Sequence, residues 1–288
     1  MIAISEPSAV YANPMTVEFA KGHGTGNDFV LLPDDAGTLN LTPERVQRIA
    51  DRHKGIGADG VIRVTQSRNV EGATPSDLWF MDYRNADGSI AEMCGNGIRV
   101  FVEYLRSTGR ITADEIDVDT RAGVLKVAVD PKGYRVEMGI AQPVVGDITV
   151  ETDNGKWPAV GVSMPNPHAV AMVQDVDGVG SLLEAPEVLP QDVFPNGVNV
   201  EFIKVKGLRQ LKLRVFERGV GETLSCGTGV CAAAFVARTK SGETGLTKWQ
   251  VDVPGGTLFV EQDDTNAMTL IGPAEIVAHG TLDAHLWN

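Results

Sequence analysis

Two four-residue segments, Cys94-Gly95-Asn96-Gly97 and Cys226-Gly227-Thr228-Gly229, carry the strongest information about the architecture of this chain. Each stands directly before an apolar run: IRVFVEYLRSTG, a predicted helix from about residue 97 to Gly109, and VCAAAFVARTKSG, a predicted helix from about residue 229 to Gly242. Helices this apolar are normally buried. The same motif and helix, repeated about half a chain apart, indicate two related halves, each built around one central helix.

Most of the remaining sequence consists of short β-like runs separated by Gly and Pro. We therefore predict an α+β fold of two pseudo-symmetric domains, each a central helix wrapped by a curved, mostly antiparallel sheet. Residues 1–14 are interpreted as a flexible N-terminal extension. The predicted N-terminal half spans residues 15–130, and the predicted C-terminal half spans residues 131–272.

Two further segments have helical features, and one has the pattern of a nucleotide-binding loop. TPERVQRIADRHKG predicts a helix with Thr42 as N-cap and Gly55 as its end. DVDGVGSLLEAP, residues 175–186, is a weaker candidate because two glycines interrupt it. Residues 55–60 match GxGxxG, but a helix precedes them and a strand follows. This order is the reverse of a dinucleotide fold, so we interpret them as a turn.

Composition excludes several classes of protein. The formal net charge is −13, and no basic cluster offsets it, which argues against nucleic-acid binding. No apolar run is long enough for a membrane-spanning helix, and the N-terminal residues lack the pattern of a secretory signal, so we expect a cytoplasmic protein. The three cysteines are too few for a disulfide scaffold. Their spacing from the histidines gives no support for a metal site, and we predict none.

The Cys-Gly-x-Gly segments point to acid/base chemistry by thiols. The first N–H groups of a helix lack internal partners and favour negative charge, which can stabilise a thiolate or hold a substrate carboxylate. Two thiols on opposite sides of a carbon acid could invert it, one removing a proton and the other delivering one. Cys94 and Cys226 are the predicted pair, and no cofactor is then required. Cys231 lies in an Ala-rich helix and is interpreted as packing.

Five segments together resemble the diaminopimelate epimerase family, and the similarity runs from about Phe19 to the C-terminus. They are FAKGHGTGNDFV, MDYRNADGSIAEMCGNGIR, MPNPHAV, GVNVEF and FERGVGETLSCGTG. The resemblance implies cofactor-independent conversion of LL- to meso-diaminopimelate in lysine and peptidoglycan-precursor synthesis. It also implies a homodimer, and an N-terminal half that is completed by about residues 273–288.

The resemblance also assigns roles to individual residues. Cys94 and Cys226 become the acid/base pair, and His168 and Glu217 tune their protonation. Arg218 suits a distal carboxylate because a guanidinium can bind both oxygens. The remaining residues implied to contact substrate are Asn27, Asn85, Gly95, Asn96, Asn166, Asn199, Glu217, Gly227 and Thr228. Taken singly, Asn27, Asn85 and Asn166 are more typical of turns and loops than of a binding site, so their assignment depends on the coincidence of all five segments.

One position departs from the family pattern. Many members have Gln where this chain has Gly60, and that Gln contacts substrate. We expect the contact to be lost or replaced here. Two alternatives remain open from the sequence. One is a racemase for another amino acid, which would act without a distal carboxylate, and the other is a non-catalytic protein whose two thiols form a redox switch.

Overall fold

The computed structural model describes residues 17–74, 76–164 and 166–287. The extension predicted for residues 1–14 lies outside the described residues. Strands dominate the described part. The strands are β1 (Val17–Gly24), β2 (Asn27–Pro33), β3 (Gly60–Gln66), β4 (Trp79–Asn85), β5 (Glu115–Asp119), β6 (Leu125–Asp130), β7 (Gly133–Ile140), β8 (Gln142–Thr152), β9 (Gly155–Ser163), β10 (Pro167–Met172), β11 (Glu187–Leu189), β12 (Asn199–Gly207), β13 (Gln210–Glu217), β14 (Gly221–Thr223), β15 (Thr247–Val253), β16 (Gly256–Gln262), β17 (Ala267–Gly272) and β18 (Glu275–Leu282). The helices are α1 (Pro43–Ala50), α2 (Gly95–Ser107), α3 (Gly227–Ser241) and α4 (Ala284–Trp287).

The strands form one continuous, mixed sheet that is mostly antiparallel. Four pairs are parallel: β2 with β3, β4 with β5, β10 with β12, and β13 with β15. The last strand, β18, returns to pair with β1, so that Val17 lies opposite Leu282. The predicted α+β class with two central helices is therefore confirmed. The boundaries drawn at residues 130 and 272 stay a prediction, because the sheet runs on through both positions.

The two helices predicted after the Cys-Gly-x-Gly segments are both present. Helix α2 packs on β1, β2, β7 and β18, and α3 packs on strands from β9 to β17. Helix α3 ends at Gly242, which adopts the left-handed conformation that favours glycine at this position. Ten of the 13 residues of α2 and 11 of the 15 residues of α3 are buried. Their apolar composition therefore reflects burial on all sides, as expected for a helix enclosed by sheet.

The other two helix predictions need correction. Helix α1 has the predicted N-cap, since the Thr42 hydroxyl accepts from the Arg45 amide. It ends at Ala50 rather than at Gly55, because the Asp51 carboxylate accepts from the amides of His53 and Lys54 and forms a separate turn. In residues 175–186 only a single 3₁₀ turn, Asp177–Val179, is formed. The glycines that weakened this prediction break the helical pattern.

The starts of the two buried helices meet at the centre of the molecule. A Cβ added to Gly227 would lie 3.3 Å from the Cα of Gly95, so the two backbones are nearly in contact. The side chain of Leu270 from β17 packs beneath both glycines, and a Cβ added to either one would lie within 3.2 Å of it. Glycine at both positions is thus what allows the helices to approach so closely. In the described part of the chain, no helix is both long and apolar enough to cross a membrane.

We expect Leu270→Ala to lower the free energy of unfolding by about 2–5 kcal/mol, because a fully buried side chain is lost beneath both helix starts. Urea denaturation monitored by circular dichroism would measure it. Leu208→Ala is the matched control, since Leu208 is 87% exposed, and should change the free energy of unfolding by less than about 0.5 kcal/mol. Equal effects in the two variants would contradict this account of the core.

Candidate active site

Cys94 and Cys226 are the N-cap residues of the two central helices. Cys94 has extended backbone, and its Sγ accepts from the Gly97 amide at 3.4 Å, in the manner of a capping side chain. The Sγ of Cys226 makes a different contact, lying 3.5 Å from Oγ1 of Thr228. All three cysteines are free thiols. Because the two helix starts are in contact, the two capping cysteines belong to one site.

Asparagines surround the Cys94 side of the site. The Oδ1 of Asn27 accepts from the Asn96 amide group at 3.1 Å, and the Cys94 thiol donates to it at 3.7 Å. The same Asn96 amide donates to the carbonyl of Ser225 at 2.9 Å, the residue immediately before Cys226. Asn96 therefore connects the two cysteine loops directly. Asn27 is held in turn by Asp59, to which its amide group donates at 2.7 Å.

A chain of polar side chains leads away from Cys226 into the protein. From Oγ1 of Thr228 the next contact is the Asn166 amide group at 3.2 Å. Asn166 Oδ1 then lies 3.1 Å from Nε2 of His168, and Nδ1 of His168 lies 2.7 Å from Glu201. His168 and Glu201 are completely buried. This series of hydrogen bonds fixes the orientation of each side chain in it, and so holds the Thr228 hydroxyl beside the Cys226 sulfur.

The second glycine of the C-terminal motif, Gly229, is required for a steric reason. A Cβ at Gly229 would lie only 2.5 Å from Oε1 of Glu201. Any larger residue at that position would push the carboxylate away from His168. The motif therefore positions the cysteine and also leaves space for the buried carboxylate behind it.

Burial and nearby carboxylates make the thiolate form of Cys226 unfavourable. Burial raises the pKa of Cys226 well above its ordinary value, and the carboxylates of Glu217 and Glu201 raise it further. The Thr228 hydroxyl and the Gly229 amide act in the opposite direction. Burial also raises the pKa of Glu217, against hydrogen bonds from Thr223 and Cys226 that lower it. The two groups therefore share one environment, and a charge on Glu217 makes the thiolate form of Cys226 less favourable.

Cys94 lies in a more favourable environment for a negative charge. Burial raises the pKa of Cys94 to about 11, and the Glu217 carboxylate adds to that rise. The amides of Gly97 and Asn96, together with the Arg99 guanidinium, lower it. Both thiols lie at a helix start and near Glu217, but the Arg99 guanidinium acts in addition on Cys94, and a second carboxylate, Glu201, acts in addition on Cys226. The two thiols are electrostatically different although their local sequences are alike.

The remaining predicted site residues divide into two groups. Asn199 and Arg218 lie together, since Oδ1 of Asn199 accepts from the Arg218 amide at 2.9 Å. The exposed Arg218 guanidinium donates to the carbonyl of Asn196 at 3.0 Å and forms no ion pair with any residue that the structure describes. Asn85 differs. Its side chain donates to Ser89 at 3.0 Å within a turn, the arrangement that its local sequence already favoured.

The structure gives a steric reason for glycine at position 60. A Cβ there would lie 2.4 Å from the ring of Tyr83 and 2.6 Å from the carbonyl of Arg84. Tyr83 is almost fully buried and packs edge-on against Phe29. A glutamine at position 60 therefore cannot coexist with this placement of Tyr83. The ring occupies the space that a longer side chain would need.

Sequence reasoning missed two buried charged residues of the site, Glu201 and Arg99. Both carried a weak signal, because each is a charged residue with an apolar residue on either side of it in the sequence. Glu201 alternates with Val200 and Phe202 in β12, and Arg99 follows Ile98 near the N-terminal end of α2. A charged residue in such a position requires a buried partner. Within the described ranges, no cluster of three or more His, Cys, Asp or Glu residues is arranged to hold a metal ion.

Comparison with known proteins identifies the family of this chain. The profile described as Diaminopimelate epimerase matches residues 19–144 and 160–277. The chain is 45% identical to the diaminopimelate epimerase of Streptomyces coelicolor, covering 93% of this chain and 96% of the relative. It is also 45% identical to that of Corynebacterium glutamicum, covering 92% and 98%. The chain belongs to the diaminopimelate epimerase family. Members of this family are isomerases, so the protein is assigned to that class of enzyme.

More distant structures share the fold of this family member. A hydroxyproline epimerase from Agrobacterium vitis superposes with a TM-score of 0.69 at 13% identity, covering 95% of this chain and 94% of that one. A phenazine biosynthesis protein of the PhzF family from Bacillus anthracis gives 0.68 at 19% identity, covering 93% and 99%. At such identities the similarity establishes the two-domain architecture alone.

Thr228→Val should raise the pKa of Cys226, because it removes the hydroxyl that stabilises the thiolate while preserving side-chain volume. A hydrogen bond contributes about 1 kcal/mol net, so a rise of about 0.5–1 pH unit is expected. The rate of iodoacetamide alkylation against pH would measure it, in a Cys94→Ala, Cys231→Ala background where Cys226 is the single thiol.

The matched control is Thr239→Val on the same helix. The Thr239 hydroxyl donates to the Phe235 carbonyl at 2.8 Å at the opposite end of α3. This variant should leave the alkylation profile of Cys226 unchanged. Identical profiles in both variants would show that Thr228 does not act on the sulfur.

Proposed function

We propose that this protein converts LL-diaminopimelate to meso-diaminopimelate by a two-base mechanism that needs no cofactor, with Cys94 and Cys226 as the acid/base pair. The single observation that carries the proposal is the contact between two helix starts, each capped by a cysteine, in a chain 45% identical to enzymes named diaminopimelate epimerase. Such an arrangement provides one thiol for each face of a substrate carbon.

In the proposed reaction one cysteine is a thiolate and the other a thiol when substrate binds. The thiolate removes the proton from Cα, and the C–H electron pair remains on the substrate as a carbanion. The opposite thiol then delivers its proton to the other face of the same carbon. At the end the protonation states of Cys94 and Cys226 are exchanged, and all protons are accounted for.

The helix-start amides supply the electrostatic support that this reaction requires. The residues after each cysteine, Gly95 and Asn96 in one loop and Gly227 and Thr228 in the other, present N–H groups that lack helical partners. We propose that they hold the α-carboxylate of the substrate and stabilise the charge that develops as Cα loses its proton. Asn27 and Asn166 contact these loops and would keep them in position.

At the distal end, Arg218 is proposed to bind the second carboxylate. Its guanidinium lies at the surface against the carbonyls of Asn196 and Gly197, without a carboxylate partner among the described residues. Asn199 holds the Arg218 backbone, and Glu217 lies beside it next to Cys226. Asn85 is retained in the proposal on the family resemblance alone, as a contact for the distal amino-acid end.

Three further properties belong to the same proposal. The protein is proposed to form a homodimer and to act in the cytoplasm. The two halves are proposed to divide near residue 130, with about residues 273–288 completing the first. The pairing of β18 with β1 supports that completion.

The two-base mechanism predicts where solvent hydrogen enters. In D₂O, early product from protiated diaminopimelate should carry deuterium at Cα while unreacted substrate stays protiated, because the delivering thiol exchanges with solvent between turnovers. Proton NMR during the first turnovers would measure this. Product that keeps the original hydrogen would contradict two separate bases.

The same assay distinguishes the three cysteines. Cys94→Ala and Cys226→Ala should each lower kcat for epimerisation by about 10²–10⁴-fold, because one face loses its proton donor or acceptor. Cys231→Ala is the matched control, since Cys231 is buried in the body of α3, and it should leave kcat nearly unchanged. Near-normal epimerisation by either of the first two variants would refute the mechanism.

Arg218→Lys should weaken substrate binding, because it keeps the charge but loses the two-pronged geometry. We expect kcat/KM for diaminopimelate to fall about 5- to 100-fold, corresponding to about 1–3 kcal/mol for a charged hydrogen bond. Arg209→Lys is the control. Arg209 is paired with Glu243 at 2.6 Å in a turn outside the site. An unchanged kcat/KM in the Arg218 variant would exclude contact with substrate.

A further inference from the structure

Arg99 is the largest completely buried side chain of the described structure. It lies near the N-terminal end of α2, five residues after Cys94. Burying a cation away from water is costly unless an opposite charge or many hydrogen bonds compensate. A completely buried arginine therefore needs an explanation.

The contacts of Arg99 are all with neutral acceptors. Its guanidinium donates to the Gly95 carbonyl and to Asn96 Oδ1, each at 3.0 Å, and to the Pro273 carbonyl at 3.3 Å. A weaker contact of 3.5 Å reaches the hydroxyl of Thr25. Among residues 17–74, 76–164 and 166–287 no carboxylate lies within ion-pair distance of it. Its positive charge is therefore left uncompensated by the described protein groups.

The other buried arginine of the described chain is paired with a carboxylate, as buried cations usually are. Arg238 donates to the carboxylate of Asp264 at 2.6 Å. His168, the buried histidine, similarly lies against Glu201. Arg99 alone among these three groups faces no acidic side chain. This difference indicates that its counter-charge is one that forms during function.

The space around Arg99 is shaped for its guanidinium. A Cβ at Gly24 would lie 3.0 Å from one terminal nitrogen, and a Cβ at Gly272 would lie 3.5 Å from the central carbon. Glycines from two different strands thus border the group on both sides. A side chain at Gly24 would crowd the guanidinium, whereas a Cβ at Gly272 would make an ordinary van der Waals contact with it, so the cation is closely packed against both strands.

Two thiols, Cys94 and Cys231, can form an anion that acts on Arg99, and Cys94 has the larger effect. Arg99 binds the carbonyl of Gly95 and the side chain of Asn96, the two residues that follow Cys94, and Asn96 shares the acceptor Asn27 with the thiol. Besides Arg99, the charged or titratable groups that act on Cys94 are Glu217 and Tyr83. Glu217 opposes ionisation of the thiol, so Arg99 is the cation that favours it.

We propose that Arg99 is a positioning residue whose buried positive charge balances the negative charge of the site and places it preferentially on Cys94 when no substrate is bound. This inference rests on the proposed function, which requires one thiolate and one thiol. It assigns the thiolate of the resting enzyme to the N-terminal half. The carboxylates of Glu217 and Glu201 keep Cys226 protonated on the other side.

The test measures ionisation of Cys94 and does not depend on epimerase activity. In a Cys226→Ala, Cys231→Ala background Cys94 is the single thiol, and thiolate absorbance at 240 nm and iodoacetamide reactivity report its charge. Arg99→Met should move the ionisation midpoint upward by about one pH unit and slow alkylation at pH 8 about tenfold. Arg99→Lys, which keeps the charge, should move the midpoint by less than half as much.

Arg106→Met is the matched control on the same helix. Arg106 lies in the last turn of α2 and donates to the Ala113 carbonyl at 2.6 Å. The Arg106→Met substitution should leave the ionisation midpoint of the Cys94 thiol unchanged. If Arg99→Met and Arg106→Met give the same midpoint, or if Arg99→Lys shifts it as far as Arg99→Met, the role of Arg99 is purely structural and the proposal is wrong.

A second measurement needs no substitution of Arg99. In the wild-type protein labelled with ¹⁵N-arginine, the side-chain Nε–Hε resonance of Arg99 should shift with the same midpoint as the thiolate absorbance. In Cys94→Ser that shift should disappear. A resonance that stays fixed through the Cys94 titration would overturn the proposal, while deuterium incorporation and the cysteine variants test the two-base reaction independently.

Discussion

The rest of the structure depends on the contact between Gly95 and Gly227. Two helices enclosed by sheet can place their starts against each other only if neither carries a side chain at the contact. Once they meet, two sets of unpartnered N–H groups and two capping side chains converge on one small volume. The position of the cysteines, the bridge from Asn96 to Ser225 and the packing of Leu270 all follow from this approach.

Sequence repetition makes the two helix starts alike, but their buried charges make them different. An uncompensated guanidinium lies behind Cys94, whereas Glu217 and the pair of His168 with Glu201 lie behind Cys226. A reversible reaction between mirror-related groups needs two similar bases. An enzyme that begins each turnover in a defined state needs them to be unequal. Under the mechanism proposed above, the use of the same motif twice in different electrostatic environments would meet both requirements.

Much of the architecture could be predicted because the deciding signals are local. The Cys-Gly-x-Gly segments and Gly242 mark the boundaries of α2 and α3 within one or two residues. Strands such as β8 carry a weaker sequence signal, because Pro143 and Gly146 interrupt the alternation that identifies a strand, and the register of β8 shifts between Val144 and Ile148. Glu201 and Arg99 were missed for a different reason. Each is explained only by groups distant in sequence, which a local pattern cannot show. The assignments at Asn85 and Arg218 stay predictions.

The pairing of β1 with β18 has a consequence for the synthesis of the protein. Val17 and Leu282 are neighbours in the ladder although they come from opposite ends of the described chain. During translation β1 therefore lacks one of its two partners until Glu275–Leu282 has left the ribosome, and contacts of such long range form slowly. The nascent N-terminal half has an open sheet edge throughout elongation, so this strand is where chaperone binding would protect the growing chain.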